Sequence, residues 1–161
     1  MARFLDNHQI VPVIEPLDLD TDRTGDWVNL ENYGKVVFVF TKSAGTAGDD
    51  FNFTVQQATD NAGTGAKDLD AIDVYWIKQA ATNLTGIGTF TEITQTADAL
   101  IAGNATSAEQ CVLLVCEVNA EQLDLANGFT HVNASVTLDG SGGAQYGAVL
   151  AILCDPRYPQ A

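Results

Sequence analysis

Apolar residues along the chain fall in short runs set between clusters of Gly, Asn, Asp and Thr. The runs are IVPVI (10–14), KVVFVFT (35–41), FNFTVQQA (51–58), AIDVYWIKQ (71–79), GTFTEIT (88–94), CVLLVCEV (111–118), HVNASVTL (131–138) and YGAVLAIL (146–153). Enrichment in β-branched and aromatic residues, with a period of two in several runs, predicts eight strands and an all-β fold. VVFVF (36–40) and CVLLVC (111–116) are apolar at both registers, so they read as central strands covered on each face. HVNASVTL alternates, which gives it one wet face. A single open sheet would leave the two doubly apolar runs in water. Two packed sheets, a β-sandwich or jelly roll in one domain, follow. Helical periodicity is confined to TADALIAG (96–103) and NAEQLDL (119–125), the second with Asn119 as a candidate N-cap.

The ends break the pattern. Pro12 and Pro16 interrupt the first apolar run and DLDTDRTGD (18–26) is acidic and polar, so residues 1–30 are expected as an extended arm. Residues 31–154 then form the sandwich, and DPRYPQA (155–161) a surface tail. There is no low-complexity tract and no repeat of fixed period, which argues against solenoids and propellers.

Composition narrows the partners. The chain has 161 residues and is 46% hydrophobic, enough for one sizeable core. Seven basic against 21 acidic residues give a formal charge of −14, which repels nucleic acid phosphates and anionic lipid, so neither is expected as a partner. MARFLDNHQI has neither the basic nor the apolar region of a signal peptide, and no apolar run reaches the roughly 18–20 residues of a membrane span. The odd set Cys111, Cys116 and Cys154 suggests reduced thiols. On one strand, Cys111 and Cys116 would face opposite ways. The simplest reading is three buried thiols, with Cys154, near the tail, as the candidate for an intermolecular disulfide.

Candidate chemistry is thin. Two glycine-rich loops, AGTAGDD (44–50) and NAGTGAK (61–67), resemble phosphate loops only loosely: Ala66 separates Gly65 from Lys67, Asp68 stands where a hydroxyl is needed, and no helix follows. Gly45, Gly48, Gly63 and Gly65 are better read as turn residues. Asp18, Asp20 and Asp22 have the alternate spacing of a calcium loop, but Arg23 replaces its glycine and Asn29 its bidentate glutamate, which leaves a solvated acidic segment as the simpler reading. Asp49 and Asp50 read as turn caps. His8 and His131 lack the partners of a catalytic triad or zinc site, so no catalytic residue and no cofactor are expected and the chain is not expected to be an enzyme. Trp27, Trp76, Tyr33, Tyr75, Tyr146 and Tyr158 could stack on sugars, although core packing explains them more simply, and Tyr75 beside Trp76 requires one of the two to face inward. Sequons begin at Asn52, Asn83, Asn104 and Asn133.

The order of segments is more specific than any of these. VPVIEP, GDWVNLENYGKVVFVF, GTAGDDFNFTVQQATDNAGTGAK, ATNLTGIGTFTEIT, ATSAEQ, NAEQLDLANGFTHVNASV and YGAVLAILCDPRYP follow one another over nearly the whole chain. Together they resemble the capsid decoration, or cement, proteins of tailed bacteriophages. That resemblance implies a structural virion protein, made in the host bacterial cytoplasm and seated on the outer surface of the phage head. Its partners would be the major capsid protein and copies of itself, often in trimers, and it would bridge neighbouring capsomers. The contacts expected on this basis are Val11, Pro12, Val13, Ile14 and Pro16 at one end and Arg157, Tyr158 and Pro159 at the other. Competing readings are a head-fibre base, tail or receptor-binding component, a carbohydrate-binding sandwich, and a calcium-binding module.

Overall fold

A computed structural model describes residues 3–80, 90–140 and 143–158. Pro159 and Asn83 lie outside the described residues. The strands, in chain order, are β1 (His8–Asp18), β2 (Arg23–Thr24), β3 (Val28–Asn29), β4 (Tyr33–Lys42), β5 (Phe51–Ala58), β6 (Lys67–Asp68), β7 (Ile72–Ala80), β8 (Thr91–Asp98), β9 (Leu100–Ala102), β10 (Cys111–Asn119), β11 (His131–Leu138) and β12 (Tyr146–Pro156). They form two antiparallel sheets. The first runs β1-β12-β4-β10-β7-β8; the second runs β2-β11-β5-β6, with β3 added on β11 and β9 on β5. The chain is an all-β sandwich, with the doubly apolar β4 and β10 side by side in the middle of the first sheet.

Alternation builds the core between the sheets. Phe38 and Phe40 point inward from β4 and Phe51 and Phe53 from β5, all at 0% exposure. Their rings meet edge to face: Phe40 and Phe51 at 5.2 Å between centroids, Phe38 and Phe53 at 6.2 Å. Burying each phenyl contributes about 2–3 kcal/mol, and each edge-to-face pair about 1 kcal/mol more. Val112, Leu114, Cys116 and Val118 of β10 and Val132, Ala134 and Val136 of β11 complete the layer.

The N-terminal segment departs from expectation. Instead of an extended arm over residues 1–30, residues 8–18 form β1, paired antiparallel with β12 along one edge of the first sheet. Val13 and Ile14 are core residues, each 4% exposed. The prolines that suggested an arm have another role. Pro lacks the donor that a central strand needs, so Pro12 and Pro16 confine β1 to the edge, and its register shifts between Pro12 and Ile14 and again between Ile14 and Leu17.

The two helical expectations also change. Residues 96–103 hold the end of β8 and all of β9, where the chain crosses from one sheet to the other. Asp98 Oδ1 accepts the Leu100 N–H at 3.0 Å, and burial of Ala99 and Ile101 fixes the crossing. Residues 119–125 give a 3₁₀ turn, Ala120–Gln122, in which Gln122 Oε1 accepts the Asn119 N–H at 2.7 Å, and the start of a second, Leu125–Asn127, in place of a helix.

Candidate interaction surface

The glycine-rich loops make turns. Gly48, Gly63 and Gly65 have φ of +89°, +76° and +67°, a region that side chains resist. Acidic side chains tie both loops to their own neighbourhood. Asp49 Oδ2 accepts the Gly143 N–H, and Asp50 Oδ1 accepts Ser107 Oγ and the Ala108 N–H. Asp60 Oδ1 accepts the N–H groups of Thr64 and Ala62, bonds that hold its carboxyl below the usual range. Asp18, Asp20 and Asp22 do not converge. Asp18 Oδ1 accepts the Gln145 N–H at 2.9 Å, Asp20 pairs with Arg23 at 2.8 Å, and Asp22 is exposed.

The thiols and rings are dispersed. Cys116 faces the core, where burial pushes its pKa far above the usual thiol range, whereas Cys111 points outward and is half-buried. Cys154 is 6% exposed, its thiol donates to the Ile152 carbonyl, and burial raises its pKa. A thiol so covered and protonated is poorly placed for the intermolecular disulfide expected of it. Tyr75 faces inward at 9% exposure and Trp76 outward, as their adjacency required. Trp27 lies against Gly63, and Asn133 is fully buried. His131 is half-buried with Nδ1 3.0 Å from Thr130 Oγ1, and the His8 ring stacks on Phe4 at 4.2 Å.

Antiparallel pairing of β1 with β12 brings the expected contact segments to one edge. Pro12, Pro16, Arg157 and Tyr158 are exposed there or just beyond it, Val11 is half-buried, and Val13 and Ile14 are withdrawn into the core. Arg157 is anchored through its N–H to the Asn32 carbonyl, and it lines an open groove with Asn7, His8, Asp155 and Pro156. Phe4, Leu5 and Ile10 leave 54%, 61% and 45% of their surface exposed in the N-terminal segment, and Tyr158 leaves 69% in the tail. Sequence reasoning missed Phe4 and Leu5, whose signal was two apolar residues in a segment otherwise polar.

A second surface continues from that edge across the outside of the first sheet. Register places Pro12, Leu150, Val39, Val115 and Trp76 in one row over five strands. Ile10, Ile152 and Val37 lie on one side of this row, and Ala148, Thr41 and Leu113 on the other. The charges here are matched locally: Lys35 Nζ meets Glu117 Oε2 at 3.0 Å, and Lys78 sits 4.5 Å over the Phe90 ring. None of the described residues lies over this face as a further layer.

No known protein family matches the chain, and no curated protein sequence does. Among solved structures it is similar to the SPBc2 prophage-derived protein YomS, at 9% identity and a TM-score of 0.47 over 95% of this chain and 97% of that one. It is similar also to TmCBM61, solved in complex with β-1,4-galactotriose, at 9% identity and a TM-score of 0.31 over 96% and 86%. A third likeness is to a chain of infectious bursal disease virus Gx strain, at 11% identity and a TM-score of 0.33, spanning 94% of this chain and 33% of the viral one. These likenesses, all at 11% identity or below, assign no role to any residue of this chain.

Proposed function

We propose that this chain is a non-enzymatic structural protein of a phage particle, which binds the outside of the assembled head and bridges neighbouring capsomers. One observation carries the reading: β1 and β12 bring the N-terminal segment and the C-terminal tail together along a single edge, with Phe4, Leu5, Ile10 and Tyr158 left in solvent. Exposed aromatic and aliphatic side chains beside Arg157 have the composition of contact residues. A strongly acidic body around such an edge keeps crowded copies soluble, and a repeating lattice multiplies modest contacts into firm attachment.

The test follows from the placement of Val13 and Ile14 in the core. Deleting residues 1–16 would unfold the sandwich, so residues 1–7 are the segment to remove, alone and together with Arg157→Ala and Tyr158→Ala. Purified phage heads are incubated with each variant and bound copies are counted by quantitative gel or cryo-electron microscopy. The expected result is loss of head binding in variants with native circular dichroism. Full binding by the triple variant overturns the reading, as does binding confined to a vertex or tail.

A further inference from the structure

We propose that the outer face of the β1-β12-β4-β10-β7 surface is covered by a second copy of this chain, packed sheet against sheet about a twofold axis. The first observation is one of chemistry. β4 and β10 are apolar at both registers, but within the described residues only their inner register has a partner layer. Leu150, 38% exposed, and the half-buried Val39, Val115 and Trp76 therefore form an apolar band that no described residue covers. Monomeric proteins seldom leave so continuous a patch in water.

Charge selects the occupant. Two copies at −14 each repel strongly unless they meet where charge is absent. On this face Lys35 pairs with Glu117 and also has Asp155 beside it, Lys78 and Glu92 stand toward the other edge, and the central row between Pro12 and Trp76 carries no charge. A face with an uncharged centre and its charges at the margins is compatible with itself, whereas a partner chosen by charge would meet an acidic or basic field at the centre. Size agrees. Five strands about 4.8 Å apart, with four outward positions repeating at about 6.7 Å, span roughly 600 Å² in projection, near the ~800 Å² per partner of a standard interface. Twisted sheets of the same hand stack naturally about 10 Å apart with their side chains interleaved. Such a contact is isologous and closes as a dimer, in place of the trimer that the family resemblance implies.

This inference goes beyond head attachment, and its test needs no phage particle. Sedimentation equilibrium across a dilution series should give the wild type about twice the 17.1 kDa monomer mass, falling toward the monomer as it is diluted. Val115→Lys and Leu150→Lys should sediment as monomers while keeping native circular dichroism. Leu150 is the more exposed of the two, so Leu150→Lys decides the question if Val115→Lys fails to fold. A wild type that is monomeric at every concentration overturns the proposal. So does a trimer, or a dimer that survives in Leu150→Lys. A monomeric wild type that still binds heads removes the pairing alone, and a dimer that ignores heads removes the head reading alone.

Discussion

On the outside of the second sheet, Asn52, Thr54 and Gln56 of β5 lie beside Thr137 and Ser135 of β11; Asn52 donates to Asp139 at 2.8 Å and Gln56 to Asp68 at 2.9 Å, while Asn133, on the same register, is fully buried and donates to the Gly25 carbonyl at 3.3 Å. On the outside of the first sheet the same positions in the pleat hold Val37, Val39, Leu113, Val115, Leu150 and Ile152. Both sheets present Phe and Val inward, so the core does not distinguish them. The outward register does. One sheet turns mainly polar side chains outward and the other an apolar band that no described residue covers, a difference that bears on what the sandwich can bind although it adds nothing to the core.

The comparison can be broken or sharpened by mutation, beginning with what the sheets share. Phe40→Ala removes the ring that packs on both Phe51 and Phe53 and should cost about 3–5 kcal/mol, read as a lowered urea midpoint. Equal loss from both sheets, followed by amide exchange, would confirm one cooperative core.

Outward substitutions should then separate the faces. Val39→Lys is expected to lower the melting temperature by ~4–8 °C at concentrations where the chain self-associates, corresponding to about 2 kcal/mol, whereas Thr54→Lys on the polar face should stay within about 0.5 kcal/mol of wild type. Diluting the protein below its association range should shrink the gap. A gap independent of concentration would place the cost of Val39→Lys within the single chain.

Lys42 supplies a pH test at the rim of the core. Its side chain follows Val36, Phe38 and Phe40 on the inward register and is 3% exposed, with Nζ donating to the carbonyls of Gln110, Ser43 and Ala108 at 3.0, 3.1 and 3.2 Å. Burial pulls its pKa down to about 8, against weaker opposing effects of Cys111, Asp50 and Glu109. Below pH 8 both folded and unfolded chains hold the proton and the cost of burying charge is fully present. Between pH 8 and about 10.5 the unfolded chain binds more protons, so this group makes stability rise with pH, by about 1–3 kcal/mol at most. Burial of Cys116 acts oppositely, since its thiol ionises only after unfolding. The measurement is therefore a difference: wild type should gain stability relative to Lys42→Met between pH 8 and 10, and parallel curves would refute the assignment.

The smallest effect belongs to the exposed ion pair between Lys67 and Asp124, 2.6 Å apart. Lys67→Ala should cost no more than about 1 kcal/mol and should leave self-association unchanged, since the pair lies away from the uncovered sheet. A change in mass there would put the partner on the wrong sheet.

Much of this was legible in the chain itself. Alternation fixed the inward set Phe38, Phe40, Phe51 and Phe53, and double apolarity placed β4 and β10 at the centre of a sheet, because a strand's two faces are written in its odd and even residues. The demand for cover on both sides of those strands was also in the sequence. Register and neighbours were not, because they depend on residues far apart in the chain. Pro12 and Pro16 looked like the end of order until β12, more than a hundred residues on, supplied an edge where a missing donor does no harm. The pairing that carries Leu150 next to Val39, and Tyr158 to the same edge as Phe4, belongs to the tertiary structure alone, as does the finding that, among the described residues, the cover demanded by β4 and β10 is supplied on only one side.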